Sequence, residues 1–66
     1  MQIKLNGKNE NIENVDTITD LLFKFSINQK TVVVEVNSKI TGYKDFDKVS
    51  LKEGDVVEII RFMGGG

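Results

Sequence analysis

Apolar side chains fall at every second position in Gln2–Leu5, where Ile3 and Leu5 alternate with Gln2 and Lys4, the period of a strand with one buried face. Asn6-Gly7 follows, a pair that accepts positive φ at both central positions of a type I′ turn and so predicts a hairpin. The return strand is expected over Lys8–Val15; it is polar, with Ile12 and Val15 as its apolar members, which suits a sheet edge. From Ile18 the period lengthens. Ile18, Leu21, Leu22 and Phe25 recur at i, i+3, i+4 and i+7, one stripe of an amphipathic helix that should end near Ser26. Asp16 or Thr17 supplies the N-cap, and an acid at Asp16 or Asp20 complements the helix dipole. Phe23 lies off the stripe and is placed at the helix edge.

Thr31–Val36 is dense in β-branched residues, whose restricted χ1 favours a pleated surface, and reads as a strand. Its period of two assigns Val32, Val34 and Val36 to the face under the helix and Thr31, Val33 and Glu35 to the other. Asn37-Ser38 turns the chain. Between Lys39 and Ser50 the apolar residues Ile40, Tyr43, Phe46 and Val49 are irregularly spaced, which predicts a short strand and a helical turn. Lys52-Glu53-Gly54-Asp55 forms a polar turn before a last strand, Val56–Met63, that is apolar on both faces. This order is α+β: a small mixed sheet with one helix packed across one face, its first and last strands parallel. The layout resembles the ubiquitin-like β-grasp.

Composition narrows the chemistry. The chain has 66 residues with Cys 0 and His 0, so neither thiolate nucleophiles, Cys-based metal centres nor a histidine general base is available. Ser26, Ser38 and Ser50 have no histidine to activate them, and Asp45-Phe46-Asp47 and Glu53-Gly54-Asp55 match no calcium loop, so no metal site is expected. Lys39, Lys44, Lys48 and Lys52 read as a solvated surface. A net charge of -1 gives no electrostatic drive toward nucleic acid or an anionic membrane, and no apolar run is long enough to span a bilayer. A cytoplasmic setting fits a chain without disulfides or a signal peptide.

What remains is the C-terminus. Gly64-Gly65-Gly66 holds half of the Gly 6 in the chain and follows directly on an apolar strand. Residues 1–63 are expected to form the domain and residues 64–66 a flexible C-terminal glycine tail. Without Cβ atoms, three extended glycines make a thread roughly 10 Å long that enters channels closed to any side chain. The α-carboxylate of Gly66, with a reference pKa of about 3.5, is ionised and a poor electrophile. ATP overcomes this by forming a mixed anhydride with a good leaving group, open to attack by sulfur or an amine. On the open face of the last strand, Ile60 and Phe62 stand beside the tail, either as an apolar docking patch or covered by the Tyr43–Phe46 segment. Arg61 either meets a partner carboxylate or is solvated.

Taken in order, Met1-Gln2-Ile3-Lys4-Leu5-Asn6-Gly7, Val34-Glu35-Val36-Asn37, Gly54-Asp55-Val56-Val57-Glu58-Ile59 and the terminal glycines resemble the thiamine-biosynthesis sulfur carrier family over essentially the whole chain. The resemblance implies a protein co-substrate, not an enzyme, that binds no cofactor itself. An E1-like adenylating enzyme (ThiF) uses ATP to activate the C-terminal glycine, and sulfur drawn through a cysteine desulfurase converts it to a thiocarboxylate. Thiazole synthase (ThiG) then takes the sulfur for the thiazole ring. By this match Gly66 carries the sulfur, and Gly65 and Gly66 are the positions handled inside both partners; Gly64 and Met63 beside them, and Ile60 and Phe62 where their face is open, are the further candidate partner contacts. The small subunit of molybdopterin synthase shares the fold and tail chemistry but typically carries a Pro-Pro pair before its Gly-Gly, whereas this chain has Pro 0. A non-covalent ubiquitin-like adaptor and a ubiquitin-type modifier are the remaining alternatives. Thr41-Gly42-Tyr43 departs from the segment usual in the family after the asparagine turn.

Overall fold

The structure, a computed structural model, describes residues 1–62; the expectations for Met63, Gly64, Gly65 and Gly66 lie outside these. In chain order the elements are β1 (Gln2–Leu5), β2 (Lys8–Asn11), α1 (Ile18–Lys24), a 3-10 turn (Gln29–Thr31), β3 (Val32–Val36), β4 (Lys39–Thr41), a second 3-10 turn (Tyr43–Lys48) and β5 (Val56–Arg61). One five-stranded sheet runs β2-β1-β5-β3-β4. Central β5 is parallel to β1, with Leu5 opposite Val57, and antiparallel to β3, with Val33 opposite Ile60. This is the expected α+β β-grasp arrangement, with α1 across one face.

Asn6 and Gly7 adopt φ of 48° and 84°, the left-handed pair that a type I′ hairpin requires. The return strand is shorter than expected. Pairing continues through Ile12, which exchanges hydrogen bonds with Met1, but Asn14 at φ 61° turns the chain toward α1. Val15 therefore lies outside the strand, packed against the core.

Thr17, not Asp16, caps α1. Its hydroxyl accepts from the Asp20 amide at 3.3 Å, and the Asp20 carboxylate accepts from the amides of Thr17 and Asp16, each at 3.0 Å, a reciprocal capping box. Those amides, Thr17 first and Asp16 second, hold the Asp20 carboxyl below the ordinary carboxylate range. At the other end the Ser26 amide donates to the Phe23 carbonyl and the Ile27 amide to the Leu22 carbonyl. This is a Schellman ending in which Ser26, at φ 58°, occupies the position usually given to glycine. The helix thus stops at Lys24, one residue before Phe25, which as the C-cap stays 40% exposed.

Ile3, Ile12, Ile18, Leu21, Leu22, Val32, Val34, Phe46, Leu51 and Val57 form the core. Val32 and Val34 are buried as their period requires, while Val36 is half-buried at its margin. Phe46 is fully buried, because the 3-10 turn Tyr43–Lys48 packs against α1. Buried Asp55 accepts from the Lys52 amide at 2.8 Å and from Asn37 Nδ2 at 2.9 Å. Asn37 Oδ1 in turn accepts from the Val56 amide at 2.9 Å, so the β3–β4 turn is tied to the start of β5. Lys39, Lys44, Lys48 and Lys52 are all exposed. Among the described residues no helix is long and apolar enough to cross a membrane.

Candidate functional site

Strand β5 ends at Arg61 rather than Met63, and three properties converge where it leads toward the glycines. The first is its open face. Alternation along β5 turns Val57 and Ile59 toward α1 and leaves Val56, Glu58, Ile60 and Phe62 on the opposite side; Ile60 is 41% and Phe62 55% exposed. The Tyr43–Phe46 segment does not cover them, because its anchor Phe46 is buried in the core on the helix side. Among the described residues, then, the Tyr43–Phe46 segment does not serve as cover for this patch. Half-buried Val33 lies opposite Ile60 in the adjoining β3 and extends the apolar surface.

The second property is charge. Glu35 of β3 stands directly opposite Glu58 of β5, and Ile40 of β4 is opposite Glu35, so all three share the open face. Like charges directly opposite each other in a sheet oppose folding. An apolar surface at the tail-proximal end, bordered by two carboxylates, is suited to a partner with apolar and basic side chains.

The third is how the end of β5 is held. Leu5 is the last residue of β1 paired with β5. Beyond it the Asn6 side chain takes the place of backbone: Oδ1 accepts from the Ile59 amide at 2.7 Å and Nδ2 donates to the Ile59 carbonyl at 3.1 Å. Asn6 therefore fixes β5 two residues before its end, a role invisible in the sequence, where Asn6-Gly7 signals only a turn. Arg61 is exposed on the helix side of the sheet, at the lip of an open groove of about 360 Å³ lined by Leu5, Asn6, Phe25, Ile27 and Ile59.

Of the sequence-predicted site residues, Ile60 and Phe62 come together on the open face, whereas Met63, Gly64, Gly65 and Gly66 lie outside the described residues. In the sequence Asn6, Asn37 and Asp55 read only as turn residues; the structure gives each of them tertiary hydrogen bonds that span between 18 and 53 positions of sequence, for which local pattern carries no signal.

The family model of the ThiS family matches residues 3–66. The chain is 40% identical over 65 residues to the sulfur carrier protein ThiS of Bacillus subtilis, covering 97% of this chain and 98% of that protein. It is 32% identical over 66 residues to a thiazole synthase of Paramagnetospirillum magneticum, covering all of this chain but 20% of the synthase. The crystal structure of the thiamine biosynthesis protein ThiS from Geobacter metallireducens superposes with a TM-score of 0.84 at 35% identity, covering the whole of both chains.

Proposed function

Since the chain belongs to the ThiS family, the sulfur carriers of thiamine biosynthesis, we propose that it carries sulfur as a thiocarboxylate on Gly66 and delivers it to thiazole synthase. The observation that carries this reading is the end-to-end identity with a sulfur carrier, in a family match that extends through the terminal glycines. The Gly66 carboxylate attacks the α-phosphorus of ATP on an E1-like adenylating enzyme and pyrophosphate leaves. A persulfide supplied through a cysteine desulfurase then displaces AMP from the glycyl carbonyl, and a thiol cleaves the resulting acyl disulfide, leaving the thiocarboxylate on Gly66 and a disulfide as the oxidised product. The chain supplies the acceptor and its presentation: a side-chain-free thread for the partner's active site, and the Ile60–Phe62 surface to dock beside it. Relatedness to one-fifth of a thiazole synthase supports that enzyme as the recipient, because a domain of this kind already forms part of such a polypeptide.

Intact-mass analysis after incubation with ATP, the adenylating enzyme and a sulfur source tests the reading. The expected product has one carboxyl oxygen exchanged for sulfur. An unchanged mass, with an adenylating enzyme proven active on another carrier, overturns it.

A further inference from the structure

Among the described residues, strand β5 has a hydrogen-bonding edge without a partner at its C-terminal end. In an antiparallel pair, alternate residues direct their amide and carbonyl to the partner strand and the residues between them direct theirs away. The Phe62 amide donates to the Thr31 carbonyl, and the Asn37 amide donates to the Val56 carbonyl, so the even-numbered residues of β5 bond toward β3. Val57, Ile59 and Arg61 face the other way. The Val57 carbonyl accepts from the Asn6 amide, and Ile59 is satisfied by the Asn6 side chain. For Arg61 β1 has already turned away, and among the described residues nothing on that side meets its backbone N–H or C=O.

An exposed pair of backbone groups at a strand edge is a template for another strand. Here it borders an apolar groove, formed by Leu5, Phe25, Ile27 and Ile59, and the Arg61 guanidinium. Those are the components of recognition by strand addition: backbone bonds for affinity, and a groove and a charge for specificity. We propose that this edge receives an extended segment of thiazole synthase, which pairs with Arg61, lowers an apolar side chain into the Phe25–Ile27 groove and sets a carboxylate against the guanidinium. The occupant follows from position, since the edge leads directly into the tail, and from the synthase's being the recipient in the carrier reading, a polypeptide of which a domain of this kind already forms one-fifth; the guanidinium calls for an acidic side chain in the segment. The inference rests on the carrier reading above, and it makes the helix side of β5 a second contact, across the sheet from Ile60 and Phe62.

A chain of 66 residues is within reach of chemical synthesis, which allows the Arg61 amide to be N-methylated while its side chain stays intact. Thermal melts of the native and N-methylated chains should coincide. Calorimetric titration with thiazole synthase from the cell that makes the chain should show binding weakened about tenfold or more, the loss of a well-formed hydrogen bond and the pairing that depends on it. In the native complex, amide exchange at Arg61 should slow relative to the free chain, and Arg61→Glu should also weaken binding. Equal affinity of the native and N-methylated chains, or unchanged Arg61 exchange in the complex, overturns the edge proposal while leaving the carrier reading intact. A native chain that the synthase does not bind and the adenylating enzyme does not convert overturns both.

Discussion

Individual side chains divide into those that hold β5 and those it displays. Asp55 is buried and accepts two hydrogen bonds; Asp55→Ala would leave the Lys52 amide and Asn37 Nδ2 without their acceptor. A loss of about 1–3 kcal/mol is expected from urea unfolding, the usual cost of orphaned buried polar groups. A variant as stable as the native chain would make the network incidental. Phe62 belongs to the display. It is 55% exposed, so Phe62→Ala removes little buried area, and its effect should fall on partner affinity. Calorimetric titration with thiazole synthase should show weaker binding beside a nearly unchanged melt; a large drop in melting temperature with intact affinity would assign Phe62 to the fold.

Among the elements, α1 shows most clearly how local chemistry sets a boundary. Its seven residues are closed by a capping box and a Schellman turn, and Ser26 at φ 58° is the strained point. Ser26→Gly should raise stability by about 1 kcal/mol, because glycine adopts the left-handed region without a Cβ clash; an unchanged or lowered melt would argue that the Ser26 side chain has a compensating role. The N-terminal end makes stability depend on acid. Amide donors lower the folded-state carboxyl of Asp20, so ionisation is more favourable in the folded chain than in the unfolded one. That stabilisation is complete above the ordinary carboxylate value and is lost as pH falls through the lowered value. Asp20→Asn should therefore melt lower at neutral pH and lose less on acidification than the native chain; parallel acid profiles would remove Asp20 from the account.

For the molecule as a whole, the proposed division is between a packed body and a reactive C-terminal glycine. Gly65→Leu should leave the melt unchanged and abolish thiocarboxylate formation in the mass assay, since on the carrier reading a side chain there would foul the partner's channel; loss of folding would mean that the glycines serve the body instead. The sequence by itself determined the element order, the hairpin at Asn6-Gly7, the helix start near Thr17 and the apolar stripes of α1, β3 and β5. Each is written within a few neighbouring residues, as a period or as a turn preference. The glycine-rich end was equally legible because it is a local run. Tertiary structure alone decided that Phe46 enters the core, that Asp55 and Asn37 lock the start of β5, and that Asn6 replaces a strand beside Ile59. It also decided that Phe25 leaves the stripe and that, among the described residues, nothing closes over Ile60 and Phe62. Those outcomes depend on which distant segments share space after collapse, and side-chain hydrogen bonds across 53 positions leave no periodic trace in the chain that forms them.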